Sequence, residues 1–233
     1  LTRVEDQRFI TGAGHYATDA RSKGEARAFV LRAPFAHATF RIKNLDKARA
    51  MPGVALILTG ADLDHLGPLP CLAPQKNRDG QRMALPDYPV LPRDTVRHVG
   101  DAVAFIVAET LDLARDAAEA LDIEWKSLPV AADLASARKP GAPLVHEAHG
   151  SNLIFNRQFV WGPVDEDMAA CEHQLSYRVK WSRNATVPIE TFAVACEWND
   201  ATGILDVWAS IQMPKFPDQL AKALRLPGNA VRV

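Results

Sequence analysis

The sequence predicts a mixed α/β (α+β) fold that is divided into two parts. Three patterns support this prediction: a strand, helix and strand over residues 102–126, a hairpin over residues 187–214, and a proline- and glycine-rich stretch over residues 128–150 between them. A chain of 233 residues exceeds the usual size of one domain, so one large or two medium-sized domains are expected. With 48% hydrophobic and 24% charged residues, the composition is sufficient for a sizeable core.

The first half is predicted to form short strands and helices after a polar, turn-rich start over residues 1–25. Asp46 is a candidate cap for a short helix that ends before Pro52, and one or two helical turns follow Gly60. Thr110 is predicted to cap a longer helix with one apolar face. Apolar runs and period-two alternation predict five strands, over residues 26–32, 40–45, 54–58, 102–108 and 122–126. The last two strands and the helix between them predict a βαβ-like or split βαβ unit.

Residues 67–93 are predicted to form a long loop without a helix of its own, because they have no periodicity and carry six prolines. Long ordered loops in compact domains are often functional or lie against a partner. An irregular surface loop without such a role is the alternative.

The second half is predicted to form strands and two helices around the hairpin. Strands are expected over residues 153–160 and 174–182, and helices over residues 164–170 and 214–224, the latter closed by Pro227-Gly228. A further strand begins at residue 231. In the hairpin, residues 192–198 and 205–211 alternate, and residues 199–203 have turn chemistry with a glycine available for positive φ.

Glu190 and Gln212 are the candidate site residues at the open end of this hairpin. If Trp198 faces Ile204 across the loop, the numbers of paired residues sum to 402, and Glu190 falls opposite Gln212. A carboxylate beside a carboxamide at the open end of a hairpin is a plausible functional site. Two ordinary polar caps on a half-buried hairpin are the alternative.

Composition and motifs exclude several classes of function. A formal net charge of −1 without blocks of like charge argues against a nucleic-acid binder, and no apolar run approaches the ~18–20 residues of a membrane span. Three widely spaced cysteines form no zinc or iron–sulfur motif and no disulfide framework, which favours a cytoplasmic location.

No local motif forms a complete catalytic apparatus. The histidines of His146-Glu147-Ala148-His149 are three residues apart, whereas two zinc ligands on one helix face require a spacing of four. The glycine patterns at residues 12–14 and 99–101 are predicted to be turns, because neither lies between a strand and a helix as a phosphate cradle does. His37 and His98 are predicted to be structural histidines.

Seven stretches carry a resemblance to a known family: RVEDQRFITGAGHYATD, LRAPFAHATFRIKNLDKARAMPGVALILTGADL, VRHVGDAVAFIVAETLDLARDAAEALDIEWKSLPV, PGAPLVHE, GPVDEDMAAC, TGILDVWASIQMPKF and LPGNAVRV. Together and in this order they resemble the large subunit of molybdenum hydroxylases, the superfamily of xanthine dehydrogenase, aldehyde oxidase and carbon monoxide dehydrogenase. The resemblance is strongest to bacterial carbon-monoxide-dehydrogenase-like large chains. It implies an α/β hammerhead domain over residues 1–130, a linker over residues 131–150, and an incomplete first molybdopterin-binding domain over residues 151–233.

The same resemblance implies roles for the two candidate residues. Gln212, on the strand WASIQ, is expected beside the molybdenum, where a carboxamide can donate a hydrogen bond to an oxo or sulfido ligand without adding charge. Glu190, in PIETFA, is expected to support the site or the fold, because the family's general-base glutamate lies far downstream. No catalytic residue and no direct metal ligand is expected within residues 1–233.

The implied cofactor is molybdenum–molybdopterin in its cytosine dinucleotide form, with iron–sulfur clusters and FAD on partner subunits or domains. The implied reaction hydroxylates or oxidises a small substrate, such as an aldehyde, an N-heteroaromatic compound or carbon monoxide, with water as the oxygen source.

The family's glycine-rich segment after the strand WASIQ has no counterpart before Val233. The chain is therefore expected to be inactive without the remaining part of the large subunit and its partner subunits. A non-catalytic assembly module with the same fold is the alternative.

Overall fold

A computed structural model of the protein describes residues 3–20, 22–71, 73–182, 184–185, 187–188 and 190–233. The strands in these ranges are β1 (Arg27–Arg32), β2 (Ala38–Ile42), β3 (Val54–Thr59), β4 (Thr95–Val96), β5 (Ala102–Ala108), β6 (Ile123–Ser127), β7 (Val194–Asn199), β8 (Ile204–Ala209) and β9 (Val231–Arg232). The α-helices are α1 (Asp6–Ile10), α2 (Leu45–Arg49), α3 (Leu111–Glu119), α4 (Leu134–Ala137), α5 (Val164–Ala170) and α6 (Phe216–Leu224). No helix of the described residues is long and apolar enough to cross a membrane.

Strand β5 lies at the centre of the first sheet, whose order is β1-β5-β3 with both pairs antiparallel. Its apolar run is continuous because both faces are buried. Ala104 and Ile106 pack in one cluster with the alanines of α3, whereas Val103 packs on the other side with Phe40 of β2. Residues 102–108 therefore connect two hydrophobic clusters, and the strand predicted there is confirmed.

Helix α3 covers the first sheet with small side chains, because the residues that it buries are Ala114, Ala117 and Ala118. The hydroxyl oxygen of Thr110 accepts a hydrogen bond from the Leu113 amide at 3.2 Å, as predicted for the cap.

The predicted βαβ unit is wrong, because β5 and β6 lie in different sheets. The second sheet has the order β4-β2-β6, with β2 antiparallel to both neighbours. Both edges of β5 are already hydrogen-bonded, to β1 and to β3, so β6 has no free edge of β5 to join. Helix α3 thus connects two antiparallel sheets.

The chain after residue 150 differs from its predicted pattern at two places. The strands expected over residues 153–160 and 174–182 are absent, although the described part of the chain keeps helices α5 and α6 and strand β9. Alternation of apolar and polar residues leads to a strand only where a neighbouring strand can form hydrogen bonds with the backbone. Leu175, Tyr177, Val179 and Trp181 are all more than 80% exposed, so no neighbouring element covers that face of the segment.

The described residues of the loop over residues 67–93 form no helix, as predicted, and they lie against a later segment. The amide of Arg78 donates to the Asn156 carbonyl at 2.8 Å, and the amide of Ala84 donates to the Ile154 carbonyl at 3.0 Å. The side-chain oxygen of Asn77 accepts from the Asn156 amide at 2.9 Å. These bonds connect the loop to the second half of the chain.

Replacement of Gly60 by alanine is expected to lower the free energy of unfolding by about 1–3 kcal/mol. Gly60 is buried at the end of β3, and a Cβ there would lie 2.5 Å from the carbonyl oxygen of Pro92 and 2.8 Å from the Arg93 nitrogen. These contacts are backbone atoms, so the loop itself would have to move. Urea denaturation followed by circular dichroism measures the change.

Gly67→Ala is the matched control, because a Cβ at Gly67 meets nothing within 4 Å. Alanine also makes the unfolded chain less flexible than glycine does, so this variant is expected to be neutral or slightly stabilising. Equal loss of stability in both variants would show that the close contact at Gly60 is unimportant.

Candidate site at the open end of the β7–β8 hairpin

The hairpin forms as predicted, but its register differs by one residue. Trp198 pairs with Leu205, and Asn199 pairs with Ile204, so the numbers of paired residues sum to 403. The loop therefore has four residues, 200–203, and it is closed by the Gly203 amide, which donates to the Asn199 carbonyl at 2.8 Å. Gly203 has a φ of +65°, the positive value that its position predicted.

The side chain of Asn199 explains the register. Its oxygen accepts hydrogen bonds from the amides of Ala201 at 3.0 Å and Thr202 at 3.1 Å, so Asn199 is the first residue of the turn as well as the last of β7. A shift of one residue moves a side chain to the opposite face of the sheet. The predicted pairing of Glu190 with Gln212 is therefore wrong. The ladder ends at Val194 and Ala209, and both candidates lie beyond its open end.

Glu190 forms its hydrogen bond with the N-terminal part of the chain and not with Gln212. One carboxylate oxygen of Glu190 accepts a hydrogen bond from the Ala17 amide at 2.8 Å, in a partly buried position. Ala17 begins a 3-10 turn, Ala17–Asp19, and the first amides of such a turn have no acceptor within it. Among the described residues, no hydrogen bond joins Glu190 to Gln212.

Ser210 is a residue that the sequence analysis missed. Its hydroxyl oxygen accepts from the Ala193 amide at 2.8 Å and donates to the Thr191 carbonyl at 3.1 Å. Its amide also donates to the Ala193 carbonyl at 3.2 Å. Ser210 thus joins the segment before β7 to the segment after β8, beyond the last pair of the ladder and between Glu190 and Gln212. A small hydroxyl side chain directly after an alternating strand was the only signal in the sequence.

Gln212 lies between β8 and α6, and its side chain is exposed. Within the described part of the chain, no hydrogen bond engages its carboxamide, which has two N–H donors and one acceptor oxygen. An exposed neutral donor can bind an oxygen or sulfur atom of a bound group without bringing a charge to it.

A metal centre at this position would have to arrive with its own ligands. The described residues contain no group of three or more His, Cys, Asp or Glu side chains that could hold a metal ion. Gln212 therefore offers a neutral hydrogen-bond donor at this end of the hairpin, and the described residues offer no such group of ligands for a bare ion.

A separate cleft of about 850 Å³ is lined by His37, Arg97, His146 and His149, among other residues. Burial lowers the pKa of His146, and charge interactions with Arg97, His149 and His37 lower it further. The nitrogen Nδ1 of His37 lies 2.8 Å from the Pro129 carbonyl oxygen, the kind of partner expected of a structural histidine. His146 and His149 meet edge to face with ring centroids 6.2 Å apart.

Two domain families match the chain in sequence. Residues 11–129 match the a/b hammerhead domain of aldehyde oxidase and xanthine dehydrogenase, and residues 145–233 match a molybdopterin cofactor-binding domain. The chain belongs to the aldehyde oxidase and xanthine dehydrogenase family. The predicted resemblance is confirmed, and so is the predicted fold of a hammerhead domain followed by the start of a molybdopterin-binding domain.

Relatives of this family are similar over nearly the whole chain. The chain is 30% identical over 216 residues to the nicotine 6-hydroxylase large subunit of Paenarthrobacter nicotinovorans, with 93% of this chain and 26% of that protein covered. It is 33% identical over 229 residues to the carbon monoxide dehydrogenase large chain of Afipia carboxidovorans, with 91% and 27% covered. Its fold superposes on quinoline 2-oxidoreductase from Pseudomonas putida 86 with a TM-score of 0.85 at 27% identity, covering 99% of this chain and 29% of that one. The chain thus spans less than a third of the length of these relatives.

Proposed function

We propose that this chain is the N-terminal portion of the molybdenum-containing large subunit of an oxidoreductase. The observation that carries the proposal is the pair of domain matches, a hammerhead domain and a molybdopterin cofactor-binding domain in this order along one chain. The proposed reaction hydroxylates or oxidises a small substrate with water as the oxygen source. The names of the relatives support N-heteroaromatic compounds and carbon monoxide as substrate classes, and an aldehyde is the third.

The proposed boundaries are residues 1–130 for the hammerhead domain, 131–150 for the linker and 151–233 for the first part of the molybdopterin-binding domain. The two matched ranges support this division, as does the proline- and glycine-rich composition of the stretch between them.

In the complete protein, Gln212 is the residue of this chain that we place beside the molybdenum centre. The cofactor supplies the redox chemistry when bound. The Gln212 carboxamide would donate a hydrogen bond to an oxo or sulfido ligand, and its exposure at the open end of the hairpin leaves its donors available for that role. Glu190 supports the site from a distance, since its carboxylate is already engaged by Ala17.

We further propose that the cofactor is the cytosine dinucleotide form of molybdenum–molybdopterin, and that iron–sulfur clusters and FAD lie on partner subunits in the cytoplasm. The names of the relatives support a complex of several chains, since they include a large subunit, a large chain and a subunit gamma. The remaining part of the large subunit is the first partner required.

Elemental analysis of the purified assembly, with the full-length large subunit and all co-encoded subunits present, tests this function. The expected result is molybdenum in stoichiometric amount per large subunit. The same assembly produced in a host that cannot make molybdopterin is the control, and it should contain none. An assembly that lacks molybdenum with every partner present would contradict the proposal and favour a non-catalytic docking module.

A further inference from the structure

We propose that Glu190 and Ser210 are positioning residues for Gln212, and that they act by fastening an N-terminal strap to the open end of the β7–β8 hairpin. The strap is defined as residues 16–20 and 22–25, which precede β1. This inference rests on the proposed function of Gln212, and it assigns Ser210 a role that the sequence did not indicate.

The strap contacts the hairpin at two glutamates. Glu190 accepts from the Ala17 amide at 2.8 Å, and Glu197, near the turn end of β7, accepts from the Ser22 hydroxyl at 3.3 Å. The first contact joins residues 173 positions apart and is partly buried, whereas the second is exposed. Both acceptors are carboxylates, but the contact at Glu190 is shorter and partly removed from water, so it is the principal attachment.

The strap is shaped so that its amide reaches Glu190. The Tyr16 amide donates to the Asp19 carboxylate at 2.8 Å, and the Asp19 amide donates back to the Tyr16 carbonyl at 2.9 Å. These reciprocal bonds hold the 3-10 turn closed and leave the Ala17 amide directed outward. The Glu190 carboxylate accepts the hydrogen bond that the turn cannot accept itself.

Ser210 continues this connection from Glu190 towards Gln212. The Ser210 hydroxyl donates to the carbonyl of Thr191, one residue after Glu190, at 3.1 Å, and its oxygen accepts from the Ala193 amide at 2.8 Å. Gln212 follows Ser210 by two residues. A continuous series of hydrogen bonds and short covalent links therefore joins the strap to the residue proposed to contact the cofactor.

Gln212 needs such support because it belongs to neither flanking element. The ladder of β8 ends at Ala209, and α6 begins at Phe216, whose amide bonds to the Met213 carbonyl at 3.0 Å. A side chain that contacts a reacting centre has to be held to within about 0.5 Å of its working position. Ser210 supplies the side-chain hydrogen bonds that attach this part of the chain to the paired strand.

The test uses the full-length, molybdenum-loaded assembly with two variants at each position. Ser210→Ala removes both side-chain bonds, and Ser210→Thr keeps a hydroxyl. Glu190→Ala removes the acceptor for Ala17, and Glu190→Gln keeps an uncharged one. Ser136→Ala is the matched serine control, because its hydroxyl bonds only within the residue 133–136 cap of α4.

Two measurements are made on each variant: amide hydrogen exchange over residues 190–193 and 210–213, and the electron paramagnetic resonance spectrum of the molybdenum centre. Glu190→Ala, which removes one hydrogen bond, is expected to exchange about fivefold faster over these residues, and Ser210→Ala, which removes two, about 25-fold faster. They are also expected to shift the spectrum as Gln212→Ala does. Ser210→Thr should restore both measurements, Glu190→Gln should restore them in part, and Ser136→Ala should leave both unchanged.

Unchanged exchange in Ser210→Ala or in Glu190→Ala would overturn the positioning role. The role would also be overturned if exchange rose without a spectral change while Gln212→Ala altered the spectrum. If Gln212→Ala left the spectrum unaltered, the proposed function of Gln212 would fail instead, and the exchange rates alone would decide whether the strap holds the hairpin.

Discussion

Gln212→Ala in the molybdenum-loaded assembly is expected to lower kcat/KM by roughly 10- to 100-fold, the range found when a group that supports a metal centre is removed. The molybdenum content should stay close to that of the wild type, because the contact proposed for Gln212 is a hydrogen bond and not a metal–ligand bond. Steady-state kinetics and elemental analysis of the same preparation measure the two quantities.

Gln212→Glu separates the effect of donation from the effect of shape. Glutamate has nearly the same size, but an ionised carboxylate has no hydrogen to donate and brings a negative charge. This variant is therefore expected to lose at least as much activity as Gln212→Ala. Gln7→Ala, at an exposed glutamine of α1, is the control and should be active. Wild-type kcat/KM in both Gln212 variants would remove Gln212 from the site.

Ile57→Ala is expected to lower the free energy of unfolding by about 2–5 kcal/mol, because it leaves a cavity in the cluster between the first sheet and α3. Ile57 is 1% exposed and is among the largest fully buried side chains of the described chain. Its surroundings include Ala48 of α2 and Ala114 of α3, whose short side chains cannot extend to fill the space. Urea denaturation followed by circular dichroism measures the loss.

Leu56→Ala is a control on the same strand. Leu56 lies next to Ile57 on β3 but faces outward and is 40% exposed, so the same kind of truncation leaves no closed cavity. Its expected cost is below that of Ile57→Ala by more than the error of the measurement. Similar losses in both variants would mean that the cluster around Ile57 is not the stabilising core of the first half.

Predictions from the sequence succeeded where the physical cause of a structure lies within a few residues of the pattern that predicts it. Thr110 predicted the start of α3 because a cap acts on amides only two or three residues away. The apolar run over residues 102–108 predicted a strand, and the structure forms β5 there, with side chains in hydrophobic clusters on both faces. Gly203 predicted a turn, since positive φ is a local requirement.

Predictions failed where the outcome depended on a distant partner. The strand expected over residues 174–182 has a clear alternation, but no strand of the described chain pairs with it. The βαβ unit was excluded by β1 and β3, which occupy both edges of β5. The hairpin register depended on one side chain, because Asn199 starts the turn while it still pairs with Ile204.

The sequence by itself determined the mixed fold, most helices, the hairpin and the choice of Glu190 and Gln212, because these follow from local periodicity, turn chemistry and family motifs. The family resemblance already implied different roles for the two residues, and only the tertiary structure showed which contacts Glu190 makes. The Glu190 carboxylate binds an amide 173 positions away, and the Ser210 hydroxyl binds the Thr191 carbonyl 19 positions away, contacts that no local pattern encodes. The physical reason is that a hydrogen bond depends on distance in space, and the folded chain brings residues together that the sequence separates.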